Sequence, residues 1–139
     1  MISIKIPIRI VSEANSNEHW IKKAKRHKQQ KLLIRAYMKQ HTFSLPIRVK
    51  LTRHAPRPFD SDNLQSAFKY IRDAVAENLT GIKKAGMADS DLRIIWEYFQ
   101  EKTTDKEYFV TLLFSQVDIL DPSETLDSQS HSADLKPSL

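Results

Sequence analysis

Ile2, Ile4, Ile6, Ile8 and Ile10 occupy every second position at the start of the chain, separated by Ser3, Lys5, Pro7 and Arg9. β-Branched residues at period two specify a strand with one face in a core and the other in water. Pro7 has no N–H to give a ladder, which places that strand at a sheet edge. The alternation returns at Ile47, Val49 and Leu51, between Arg48, Lys50 and Thr52. Strands are also predicted over 92–99 and 107–114, joined as a hairpin through the loop Lys102–Lys106.

Helical spacing fills the gaps. Residues 18–40 carry apolar residues at Trp20, Ile21 and Ala24 and again at Leu32, Leu33, Ile34, Ala36 and Tyr37. Leu64, Ala67, Phe68, Ile71 and Val75 share one face of a second helix over Asn63–Asn78, which Gly81 is placed to end. The order β-α-β-α-β-β predicts an α+β domain over residues 1–116, a mixed sheet packed against two helices. Over 117–139 the pattern gives way to Ser, Asp, Pro and isolated leucines, the composition of a disordered tail.

A chain of 139 residues suits one domain. The absence of cysteine excludes disulfides, thiolate metal sites and cysteine nucleophiles. No apolar run is long enough to span a bilayer, and the N-terminal alternation lacks the continuous apolar core of a signal peptide. These features predict a cytoplasmic protein with no membrane partner.

The net charge of +5 understates the basic surface. Asp118, Asp121, Glu124, Asp127 and Asp134 stand against Lys136 alone in the tail, which is −4, so residues 1–117 carry +9. Such a domain attracts phosphates at long range. Lys25-Arg26-His27-Lys28-Gln29-Gln30-Lys31 is about two helical turns without an apolar side chain. It is either a solvated helix face or a phosphate-contacting one, and its single sign favours phosphate. With Lys22 and Lys23 it forms one candidate DNA contact. The outward face and exit of the second strand, with Arg48, Lys50, Arg53 and Arg57, form another, and His54 lies close to it.

Within this basic chain, Asp60-Ser61-Asp62-Asn63 precedes the second helix, and Asp89 and Asp91 follow it. Pro56 and Pro58 make the approach extended and stiff. With Asp62 as the cap, stepping about 100° per residue puts Ser66, Lys69 and Asp73 on its side of the helix, opposite the apolar face. Alternation puts Asp89 and Asp91 on one side of a strand start. Carboxylates from separate elements converging in this way would suit Mg²⁺, or Mn²⁺ in its place, which takes a few carboxylate oxygens and keeps several waters. The ligands would come from Asp60, Asp62, Asp89 and Asp91. Such an ion activates water for attack on a phosphodiester, and Lys69 would stabilise the developing charge. The same residues also admit a reading without metal. Asp62-Asn63-Leu64-Gln65 fits a capping box, and Asp89 and Asp91 fit a turn.

Asp60-Ser61-Asp62-Asn63-Leu64, Lys69, Asp73-Ala74-Val75 and Ala88-Asp89-Ser90-Asp91, leading into Ile94-Ile95-Trp96-Glu97-Tyr98, together resemble the RusA family of Holliday-junction resolvases and its phage-borne relatives. The resemblance covers residues 44–114. It implies a Mg²⁺-dependent endonuclease that cuts four-way DNA junctions as a homodimer. Asp60, Asp62 and Asp91 match the family's acidic catalytic positions, and Asn63 matches the asparagine of its motif. Two departures stand out. The family's lysine falls one turn after the second aspartate, where this chain has Ser66, and Lys69 comes almost two turns on. Its later acids are adjacent, whereas Ser90 separates Asp89 from Asp91. Asp91 is the better match because Ile94 and Ile95 then fall on the family's hydrophobic pair. The alternatives are a non-catalytic basic DNA-binding module and a nuclease of other substrate specificity.

Overall fold

The computed structural model describes residues 1–12, 18–83, 87–104 and 106–117. Its elements in chain order are β1 (Ile2–Ile6), α1 (Trp20–Met38), β2 (Ile47–Ala55), α2 (Ser61–Ala67), α3 (Lys69–Thr80), β3 (Ile94–Lys102) and β4 (Phe109–Gln116), with a 3-10 turn at Ala88–Ser90 before β3. This is an α+β architecture built on one mixed four-stranded sheet. The expected tail lies outside the described residues except for Val117, whose N–H donates to the Pro46 carbonyl at 3.3 Å. Among the described residues no helix is long and apolar enough to cross a membrane.

The strand order is β1-β4-β2-β3. β4 is antiparallel to both β1 and β2, and β2 is parallel to β3. The β3–β4 hairpin expected from sequence therefore does not form. The chain leaves β3 across the end of β2, where the Thr103 N–H donates to the Ala55 carbonyl at 3.1 Å, and β4 pairs on the far side of β2. Burial accounts for the choice. Val110, Leu112 and Phe114 of β4 are almost wholly buried, whereas β3 exposes Ile95 and Phe99. The more apolar strand takes the interior and the charged one takes the edge.

β1 is an edge strand, in agreement with Pro7, but it stops at Ile6. The Ile8 N–H turns back to the Ile6 carbonyl at 2.8 Å, a tight three-residue turn around the proline. Ile8 and Ile10 are buried all the same.

Ile47, Val49, Leu51, Arg53 and Ala55 lie on the face of β2 that packs into the core, with Arg48, Lys50, Thr52 and His54 on the other. α1 buries Gln30, Ile34 and Met38 at four-residue spacing. Trp20 and Ile21 are exposed, so the apolar face expected to begin there begins at Gln30. The first half of α1 meets α3 through side chains, with the His27 ring stacked on that of Tyr70.

The single helix expected over Asn63–Asn78 is two. α2 and α3 meet at Phe68, whose backbone (φ −83°, ψ −4°) leaves regular helix while its ring is completely buried. Gly81 ends α3 at φ 77° with its N–H on the Glu77 carbonyl, the left-handed cap that glycine adopts without a Cβ penalty.

Candidate active site

The Asp60 segment is held from both sides. Arg53 lies with its guanidinium 3.5 Å over the Phe59 ring, and its Nη1 donates to the Arg57 carbonyl at 2.8 Å. The Phe59 N–H donates to Gln100 Oε1 at 2.9 Å, and Gln100 Nε2 donates back to the Phe59 carbonyl at 2.7 Å. Asp60 follows directly as the residue at which α2 starts. The helix cap is therefore Asp60, not Asp62, and the capping box expected at Asp62–Gln65 is not the one used. The Asp60 carboxylate itself makes no cap hydrogen bond. Asp60 and Asp62 are both exposed, and no described side chain pairs with either.

The later acids form a second group. Arg72 reaches Asp89 with Nε 3.4 Å from Oδ2, an electrostatic contact without hydrogen-bond geometry, while its Nη2 donates to the Asp89 carbonyl at 3.1 Å. Trp96 Nε1 donates to the same carbonyl at 3.3 Å. Arg72 Nη1 also donates to Tyr98 Oη at 2.6 Å. Asp73 lies near enough to Asp89 for the two carboxyl groups to act on each other electrostatically. Burial pushes the Asp73 carboxyl above its ordinary value, and the charge of Asp89 pushes the same way, against Lys69 and Lys31. Asp91 points elsewhere. Its Oδ1 accepts from the Arg93 N–H at 2.9 Å and from Nε at 3.0 Å, and its Oδ2 accepts from Nη2 at 2.7 Å. Hydrogen bonding to Arg93 pulls Asp91 down to about 2. The strand alternation expected to align Asp89 with Asp91 does not apply, because Asp89 sits in the 3-10 turn and Asp91 caps it.

The two groups are set apart along β3. Asp60 follows the residue bonded to Gln100, and Asp89 is bonded to Trp96. Trp96 and Gln100 are four steps apart on the strand, about 13 Å, whereas two oxygens on one Mg²⁺ are at most about 4 Å apart. Among the described residues no three His, Asp or Glu side chains are gathered to hold one ion. Asp60 and Asp62 are exposed oxygen donors that no described side chain engages, the kind of ligand Mg²⁺ takes together with waters. Asp89 and Asp91 are engaged by Arg72 and Arg93. Lys69 belongs with the second group. It is exposed, with Nζ 5.5 Å from the centre of the Tyr70 ring, and it acts electrostatically on Asp73. The break at Phe68 interrupts the stripe expected from Asp62 to Asp73.

The basic residues occupy three places. Lys22, Lys25 and Lys28 are exposed on α1, Lys23 is half-buried beside them, Arg26 is paired with Glu18, and Lys31 Nζ is 3.0 Å from Glu77. Arg48 and Lys50 lie on the sheet face away from the core, near Glu97 and the Phe99 ring respectively. His54 shares that face, its Nε2 2.9 Å from Thr111 Oγ1, and burial lowers its pKa. Arg57 is exposed just before Asp60. Arg53 corrects the expectation of an outward residue: it is only 6% exposed. Its odd number put it on the face of Ile47, Val49 and Leu51, a parity visible in the sequence. Arg72 and Arg93, which engage the later acids, had no comparable signal in the spacing.

No family model matches the chain, and no curated protein matches it. The resemblance to the RusA family therefore rests on the motif residues themselves.

Proposed function

We propose that this protein is a Mg²⁺-dependent endodeoxyribonuclease that cuts branched DNA, four-way junctions first, in the manner of the RusA-type resolvases its motifs resemble. The observation that carries the reading is the exposed, unpartnered pair Asp60 and Asp62 at the end of an arginine-bearing segment. Exposed carboxylates that no described lysine or arginine engages, in a chain with excess lysine and arginine, would suit a divalent ion at a phosphodiester site. When bound there, Mg²⁺ supplies Lewis-acid polarisation at a phosphate oxygen. Asp60 and Asp62 would hold it, the Phe59–Gln100 bonds fix where Asp60 stands, and Arg57 would draw the strand towards them. Mn²⁺ would serve in the same oxygen set. A two-fold homodimer would present two such sites to a two-fold junction. A chromosomal or phage DNA substrate implies action in the cytoplasm.

A second reading, a DNA-binding module without catalysis, is favoured by the engagement of Asp89 and Asp91 with arginines. One experiment separates the two: incubation of a synthetic four-way junction with and without Mg²⁺, using wild-type protein and Asp62→Asn. Symmetric paired nicks that need Mg²⁺ and fall at least about 100-fold in Asp62→Asn support the nuclease. Tight junction binding without cleavage in Mg²⁺ or Mn²⁺ supports the module. Equal cutting of linear single strands points to a nuclease of other specificity, and normal cutting by Asp62→Asn removes the site assignment.

A further inference from the structure

Beside the Asp60 segment, β1's exit, the end of β2 and the approach to β4 enclose a cleft of about 640 Å³. Arg9, Arg53, Arg57 and Lys106 line it, and no described carboxylate pairs with any of them. Two of these cations are fixed in place by aromatic rings. The Arg9 guanidinium lies 4.1 Å over the Tyr108 ring and that of Arg53 lies 3.5 Å over Phe59. Stacking holds the guanidinium plane and leaves N–H edges free to donate. Arg53 is buried, and its Nε has no hydrogen-bond partner among the described residues. Burial holds its pKa below the ordinary value, Tyr108 opposes that, and the nearby charge of Arg9 adds to it. A buried guanidinium with no counter-charge beside a second one is costly unless an anion completes the arrangement.

The rest of the lining decides which anion. Phe59, Tyr108 and Ile10 give the cleft apolar walls, which a bare inorganic ion would not use. Its volume is that of a small-molecule site. We propose that this cleft binds a single phosphate-bearing nucleotide unit of a DNA strand, with the phosphate on Arg9, Arg53 and Lys106 and the base against the apolar walls. Phe59 lines the cleft and adjoins Asp60, so the unit bound there would be a near neighbour of any phosphodiester at Asp60 and Asp62. The site does not depend on those aspartates holding a metal.

The test is a titration of the full chain, in metal-free buffer, with a deoxynucleoside 5′-monophosphate, followed by backbone NMR shifts. Saturable shifts at Arg9, Phe59 and Tyr108 with a dissociation constant of about 1 mM or tighter are expected. Affinity should fall at least about tenfold in the double variant Arg9→Ala/Lys106→Ala. Because both residues are exposed, that variant should keep the fold, as a retained wild-type spectrum elsewhere would show. Arg53→Gln adds a second check at the floor. Absence of shifts at about 10 mM nucleotide, affinity unchanged in the double variant, or inorganic phosphate binding as tightly as the nucleotide would each overturn the proposal. Running the titration without metal separates its failure from that of the nuclease reading.

Discussion

Gln100 and the backbone of Phe59 are joined by a reciprocal pair of hydrogen bonds, 2.9 Å from the Phe59 N–H to Oε1 and 2.7 Å from Nε2 to the Phe59 carbonyl. Only one orientation of the amide satisfies both. Forty-one residues apart in sequence, the two residues fasten the start of α2 to β3 and so set where Asp60 stands. Gln100→Ala leaves both backbone groups without their protein partner and should cost about 1–3 kcal/mol in urea unfolding. Gln100→Glu keeps an acceptor for the N–H but loses the donor, and should fall between the two. A wild-type midpoint in Gln100→Ala would show that the segment is held by Arg53 alone.

This fastening was not legible in the sequence, and the reason is general for the chain. What repeats with a period could be read: the alternation of β1 and β2, the apolar face of the second helix, and the Gly81 cap. What depends on contacts between distant residues could not. β4 inserts between β1 and β2 because Val110, Leu112 and Phe114 are more apolar than the outward residues of β3, a comparison between strands and not a pattern within one. Asp62 looked like the cap because a capping box fits there, yet the chain enters the helix two residues earlier. The acids were legible as a set, but not their division. Arg72 and Arg93 recruit Asp89 and Asp91, and nothing in the spacing marks an arginine as a partner. The buried Arg53 is the exception, since its place in the β2 alternation already assigned it inward.

Asp91 gives a pH prediction. Its carboxyl is held at about 2 by Arg93, below the unfolded value of about 3.9. Between those values the unfolded chain binds more protons, so the pair contributes stability above about pH 4 that is lost as pH falls through about 2. Asp91→Asn should lower the melting temperature at pH 6 and leave it unchanged near pH 2. The group is at the surface, so about 0.5 M salt should shrink the difference. A difference that persists unchanged from pH 6 to pH 2 would assign the effect to backbone turn geometry instead.

Asp73 should behave oppositely. Burial and the neighbouring Asp89 raise its carboxyl above the ordinary value. Between the unfolded and folded values the native state holds more protons, so stability falls as pH rises through the folded value. Asp73→Asn removes that cost. Its melting temperature at pH 7 should rise, by a modest amount because solvent screens a partly exposed group. At pH 3, with the wild-type carboxyl protonated, the gain should vanish. Lys69→Ala tests the same balance, because that lysine opposes the shift, and it should lower stability at pH 7 alone.

Phe68 joins packing to the site. Its ring is fully buried where α2 meets α3, with its centre 5.9 Å from that of Tyr98. Tyr98 in turn accepts from Arg72, which holds Asp89. Phe68→Ala opens a cavity at that junction and should cost about 3–5 kcal/mol, a large share of the roughly 5–15 kcal/mol that stabilises a domain. Phe68→Leu, closer in volume, should cost about 1–2 kcal/mol. Both changes leave Asp60, Asp62 and the Phe59–Gln100 bonds in place, so under the proposed nuclease reading their effect on junction cleavage should follow the folded fraction. At 15 °C the Leu variant should cut at close to the wild-type rate, with the deficit appearing only as its melting transition is approached. A rate loss in Phe68→Leu at 15 °C, with the protein folded by circular dichroism, would instead mean that the angle between α2 and α3 sets the chemistry, and that the later acids take part in it.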